Sequence, residues 1–282
     1  MTNAPAAVVD THNHYWDIER SDLYWLTPDA KTQYRTFTPP DLKPHMDAVG
    51  VQQSVIVQAA HSRWDNLWWL QLTEQYPYVA AVVGWVDLED PGVGTVLDEY
   101  QQHPAFRGVR ACAEDIADPD WLARPDVHRG IGEVARRGLS LDLLVRTLHL
   151  RHIPALAAAY PALPMVIDHL AKPEIASGDL AAWYAGMEPI ARETEVWCKV
   201  SGLLTEAGPE PTTERIQPVV SFAVENFGAD RLMWGSDWPV CTLAASYEET
   251  HRTVTAALDA LADNDRAAIM GGNAATFYRI QR

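Results

Sequence analysis

The sequence predicts a single-domain α/β protein, a (β/α)8 TIM barrel built from residues 1–282. Three observations lead there. Eight short apolar, β-branched runs alternate with longer amphipathic stretches. The runs are hydrophobic almost throughout, the pattern of parallel strands covered on both faces, not of half-exposed ones. The 282 residues suit one barrel, although division at about 150 residues per domain would suggest two, and no stretch reads as an interdomain linker.

The strands are expected at 7–12, 53–59, 79–86, 108–113, 140–145, 165–168, 196–200 and 231–235. Helical patterns lie between most of them. Thr38-Pro39 caps a helix over 40–49, with proline in the first turn. Further helices are expected at 65–75 and 127–137, the latter stopped by Gly138, and at 148–159, 180–195 and 214–227. Ser246, followed by Glu248 and Glu249, reads as an N-cap with an acidic first turn for 247–261, and a last helix starts at Asn273. Residues 117–125 and 206–213 are loops within the alternation. The long aromatic stretch 15–40 follows the first strand, where a barrel places an active-site loop.

Composition excludes several function classes. Hydrophobic residues at 48% and charged residues at 21% are ordinary globular values, which rules out a disordered or fibrous chain. Lys plus Arg is 22 and Asp plus Glu 38, a net charge of −16 that repels phosphate backbones and anionic membrane surfaces. No apolar run reaches the roughly 18 residues of a membrane span, and residues 1–9 lack the basic and apolar regions of a secretory leader, so a cytoplasmic protein is expected. Cys112, Cys198 and Cys241 are too few and too scattered for a disulfide framework or zinc knuckle and read as buried thiols. Eleven Trp against five Phe is the unusual count.

In a barrel the working groups sit at C-terminal strand ends. The first strand ends Asp10-Thr11-His12-Asn13-His14, and residues two apart share a face, so His12 and His14 suit two ligands of one ion or an acid/base pair. His169 leaves the sixth strand toward its loop. Asp237, in Gly235-Ser236-Asp237-Trp238-Pro239, stands where a general base or metal carboxylate would be; a turn-capping role is the bland alternative. Arg110 and Lys199 lie in apolar strands, costly places unless they meet an anion or polarise a carbonyl, or pair with Asp87, Asp142 or Asp168. Lys172 follows His169, and His61 follows the second strand within reach of a substrate. Trp16, Trp64, Trp85 and Trp238 are expected to rim the mouth and stack on a ring-shaped substrate.

These motifs together resemble the amidohydrolase superfamily. Asp10 to Asp17, Asp168-His169-Leu170-Ala171-Lys172-Pro173, Cys198-Lys199-Val200-Ser201-Gly202-Leu203 and Gly272-Asn273-Ala274 resemble its lactonase branch. That branch includes enzymes of L-fucono- and L-rhamnonolactone and 2-pyrone-4,6-dicarboxylate lactonase. The resemblance covers nearly the whole chain. It implies a central cluster of His12, His14, His169 and Asp237, with Arg110 and Lys199 as cationic groups, and hydrolysis of a lactone by water activated at Asp237. Members of the branch differ in whether one divalent ion, zinc foremost, is bound or needed. A polyanionic substrate needs several pocket cations, and Arg107, Arg110, Lys172 and Lys199 are the ones at plausible positions, so a sugar lactone is expected over a muconolactone or pyrone. A metal-dependent decarboxylase and a non-catalytic binding barrel are the other readings. A homo-oligomer is compatible with all of them.

Overall fold

The computed structural model describes residues 7–280; most of the stretch read for a leader, residues 1–6, lies outside the described residues. Eight strands pair in parallel and in chain order: β1 (Val9–Asn13), β2 (Gln53–Val57), β3 (Val79–Gly84), β4 (Phe106–Cys112), β5 (Ser140–Leu144), β6 (Met165–Ile167), β7 (Trp197–Val200) and β8 (Leu232–Trp234). The sheet closes on itself through the segment after β8. Asn13 bridges Trp238, the Asp237 amide donates to the His12 carbonyl at 2.7 Å, the His14 amide donates to the Trp238 carbonyl at 2.7 Å, and Thr11 Oγ1 donates to the Trp234 carbonyl at 2.6 Å. The fold is a (β/α)8 barrel, as its alternation predicts.

The surrounding helices include α1 (Pro39–Val49), α2 (Arg63–Gln75), α3 (Val93–Tyr100), α4 (Pro125–Arg136), α5 (Ile153–Ala159), α6 (Ala181–Glu193), α7 (Leu203–Glu206), α8 (Thr213–Phe227), α9 (Tyr247–Ala257), α10 (Asp263–Ala267) and α11 (Asn273–Phe277). The caps work as the residues dictate. Thr38 and Asp41 form a reciprocal box at α1, and Ser246 and Glu249 another at α9. Strand ends differ by at most two residues from expectation; 148–159 divides into a 3-10 turn, Thr147–His152, and α5; and 247–261 stops helically at Ala257. The helices α3, α7 and α10 are additions to the expected set. They are short, at eight, four and five residues, too brief for a clear 3.6-residue period.

The strands are buried on both faces. Outward residues join the helix layer, whereas Val55, Val57, Ala81, Val83, Val166 and Met233 form a separate inner cluster completed by Phe277 and Tyr278 of the C-terminal segment. That segment plugs one end of the barrel, which leaves the other end, at the C-terminal strand tips, to carry polar groups. All three cysteines are free and buried, and among the described residues no helix is long and apolar enough to cross a membrane.

Candidate active site

Three strand tips bring the central groups together. His12 sits on β1, His169 just after β6, and Asp237 just after β8. Their ligand atoms lie within 4.8 Å of one another, with both imidazole Nε2 atoms 3.8 Å from Asp237 Oδ1. The backbone works to present them: His169, Leu170, Ala171 and Lys172 all have positive φ (54°, 49°, 62° and 50°), as does Asp237 at 62°. Four consecutive left-handed residues other than glycine cost roughly 1–2 kcal/mol each, strain of the kind that packing sustains at functional sites. Gly202 is needed beside this turn, because a Cβ there would lie 2.6 Å from His169 Nδ1.

Buried polar partners fix each ring. His12 Nδ1 lies 3.2 Å from both Asp168 Oδ1 and Lys199 Nζ; donation to the carboxylate leaves Nε2 as a lone pair facing the centre. His169 Nδ1 meets Ser201 Oγ at 2.9 Å, again turning Nε2 inward. Burial keeps both imidazoles neutral, pushing His12 well below its ordinary value and His169 down to about 4. Burial would raise Asp237, but His169, His14 and His12 outweigh it and hold the carboxyl below the usual range. Burial likewise opposes, and Lys199, His12 and Arg110 overcome, so that Asp168 is held well below its ordinary value.

His14, expected as a ligand beside His12, also reaches Asp237. It shares the face of His12, with ring centroids 4.9 Å apart, but stands outside the trio of His12, His169 and Asp237. Its Nδ1 faces the Val57 carbonyl at 2.8 Å and its Nε2 faces Asp237 Oδ1 at 3.2 Å. It therefore holds the aspartate from a position on the cavity wall. Arg110 reaches the centre directly: Nε donates to Asp168 Oδ2 at 2.8 Å, Nη1 to the Gln58 carbonyl at 3.0 Å, and Nη2 stands 3.3 and 3.4 Å from Nε2 of His12 and His169.

The donor set fits one divalent ion such as zinc: two imidazole nitrogens and a carboxylate oxygen, each imidazole backed by a partner at its other nitrogen. Arg110 Nη2 approaches the same two lone pairs, so the guanidinium and a metal ion compete for them.

The cavity above the trio is about 260 Å³ and is lined by His14, Arg110, His169 and Asp237 together with Tyr24, Trp25, Gln58, Glu114, Asp115 and Lys172. Several expected substrate contacts fall elsewhere. Lys199 is fully buried among Asp142 and Asp168, the ion-pair alternative, and does not line the cavity. Trp16 is fully buried against Trp25 and Phe37, and Trp238 is buried against Tyr15 and Phe37, so neither offers a face to a ring. Trp64 is 77% exposed and lines a larger groove of about 750 Å³ between α2 and α3, which shares no residue with the strand-tip cluster. Trp85 stacks on His61 at 5.4 Å, and the pair stands behind Tyr24 and Asp115. Trp25 is the indole that lines the cavity. Gln58 follows β2 directly, and Glu114 and Asp115 come within three residues of the end of β4, so the rule that singled out His169, a polar residue at the end of an apolar run, also marks them. Tyr24 and Trp25 come from the long aromatic loop after β1.

Comparisons with known proteins place the chain in a family. The amidohydrolase family model matches residues 9–280. A curated relative, the L-fucono-1,5-lactonase of Burkholderia ambifaria, is 40% identical over 97% of this chain and 96% of its own. The L-fucono-1,5-lactonase of Burkholderia multivorans is 34% identical over 96% of each chain. A solved amidohydrolase structure from Burkholderia multivorans with bound zinc superposes with a TM-score of 0.92 at 34% identity, covering 98% of this chain and all of that one. The chain belongs to the amidohydrolase family.

Proposed function

We propose that this protein hydrolyses the ring ester of a neutral sugar lactone, an aldonolactone of the L-fucono-1,5-lactone kind. The observation that carries the reading is Asp237, a carboxylate held ionised at a small polar cavity, with the imidazoles of His12, His14 and His169 around it and a guanidinium nearby. The two relatives named L-fucono-1,5-lactonase support the substrate class.

Asp237 accepts a proton as water adds to the ester carbonyl, and His14 holds the carboxylate in line. Negative charge grows on the carbonyl oxygen, and Arg110 Nη2, the guanidinium nitrogen nearest the trio, stabilises it. The ring C–O bond then breaks, Asp237 returns the proton to the leaving oxygen, and the open hydroxy acid leaves. Trp25 and Tyr24 supply a face and a hydroxyl for the sugar ring. A divalent ion held by His12, His169 and Asp237 would supply Lewis-acid polarisation of the carbonyl. Lys199 acts at one remove, holding His12 and Asp168 in place.

The test is turnover of a panel of aldonolactones, muconolactones and pyrones, followed by pH indicator, with metal analysis on the same preparation. Neutral aldonolactones are expected to be the best substrates. Asp237→Asn should lower kcat by about 10²- to 10⁴-fold while leaving KM within a few-fold. Near-normal turnover by that variant would remove Asp237 from its role, and failure on every neutral aldonolactone would remove the substrate class.

A further inference from the structure

The lining of the cavity also carries charges that the reaction does not use. Glu114, just after β4, reaches Lys172 Nζ through Oε2 at 2.6 Å and Arg146 Nη2 through Oε1 at 2.6 Å. Burial would raise its carboxyl, yet Lys172 and Arg146 hold it below the usual range. Glu206, half-buried, lies in the same field, raised by burial and tempered by the same two cations. The other cation of the lining, Arg110, is committed to Asp168 at 2.8 Å. Each cation lining the cavity thus has a carboxylate partner, and a substrate carboxylate would face Glu114, Asp115 and Asp237.

We infer that Glu114 sets the charge specificity of the pocket, holding the cavity-lining Lys172 in an ion pair so that neutral lactones are admitted and carboxylated ones turned away. This rests on the sugar-lactone reading above and names the residue that would enforce it. The physical point is that discrimination needs a penalty for the wrong ligand as well as contacts for the right one. Lys172 at the same position without Glu114 would be a carboxylate anchor. With Glu114 it is a filled site.

The probe is citrate, titrated calorimetrically into the full-length protein. Glu114→Gln keeps the side chain's size and removes its charge; it should bind citrate at least tenfold more tightly than the wild type, and the double variant Glu114→Gln/Lys172→Met should lose that gain. Asp115→Asn removes a charge from the same cavity without freeing a cation and should shift citrate binding by much less. Should Glu114→Gln not fold, Lys172→Met alone still decides: citrate affinity should stay within about twofold of wild type, because Lys172 is already neutralised. A tenfold loss there, equal citrate affinity in Glu114→Gln and wild type, or an equal gain in Asp115→Asn would overturn the inference. Wild-type turnover of neutral aldonolactones, measured beside this, separates the two claims. Turnover without a citrate gain sinks the role of Glu114 alone, and a citrate gain without turnover sinks the substrate class alone.

Discussion

At the scale of single residues, Lys199 shows what a sequence can and cannot say. A lysine inside an apolar strand has to meet a counter-charge, and that much is legible; Asp142 and Asp168 are both named by it, and both are there, with Asp168 at 3.1 Å. What the sequence leaves open is whether the ammonium faces the substrate or the barrel interior, because rotation about the strand is set by packing within the closed barrel. The tryptophans fail for the same reason. Trp16 and Trp64 follow strands, as rim residues should, but one turns into the core and the other onto a helix face. A buried pair left half-broken is expensive, so Lys199→Met, which strands two carboxylates, should lower unfolding free energy by about 3–5 kcal/mol. Urea denaturation checks this. In the fraction that folds, kcat should fall through misplacement of His12 while KM changes little; a rise in KM with kcat intact would restore Lys199 as a direct substrate contact.

At the scale of elements, the eight strands are legible because burial on both faces demands continuous apolar runs, and α3 is not, because its eight residues follow a proline- and acid-rich turn that masks its start. The closure of the barrel is less visible still, since β8 has three residues and the work passes to side chains. Asp10, fully buried, accepts from Ser236 N at 2.9 Å, Ser236 Oγ at 2.6 Å, His12 N at 3.1 Å and Tyr247 OH at 3.2 Å, joining β1 to the β8 tip and α9. Burial pushes its pKa up to about 6, against the lowering effect of these donors. The sign follows from proton binding. Between about pH 4 and 6 the folded state keeps a proton that the unfolded chain has lost, so this group's contribution to stability is full below that window and is lost as pH rises through it. A shift of about two units corresponds to roughly 3 kcal/mol. Asp10→Ala should therefore destabilise at every pH, and its deficit relative to wild type should be larger at pH 4 than at pH 7 by about that amount. Paired denaturation curves at the two pH values measure it; a deficit that grows with pH would mean Asp10 is ionised throughout.

At the scale of the whole molecule, the charge of −16 acts together with the paired cations of the cavity. The sign of the charge is plain in composition, but the pairing is not, because Glu114, Lys172 and Arg146 come from three different β/α units and meet only through the closed barrel. Long-range repulsion and local neutralisation differ in their response to salt. The net field is screened as the Debye length shrinks from roughly 30 Å at 0.01 M to about 8 Å at 0.15 M, whereas the partly buried ion pairs of the wall, in direct contact, are screened less. Raising salt over that range should leave kcat/KM for a neutral aldonolactone within about twofold, since an uncharged ligand is not steered. For a carboxylated analogue such as D-glucaro-1,4-lactone, kcat/KM should rise several-fold as repulsion by the field is relieved, yet remain below that of the neutral substrate because Glu114 still blocks Lys172. Initial-rate measurements on both substrates across the salt series separate the two effects. An equal salt response for the two would show that the molecular field does not reach the pocket, and a fall for the anionic substrate would show that an unpaired cation is binding it.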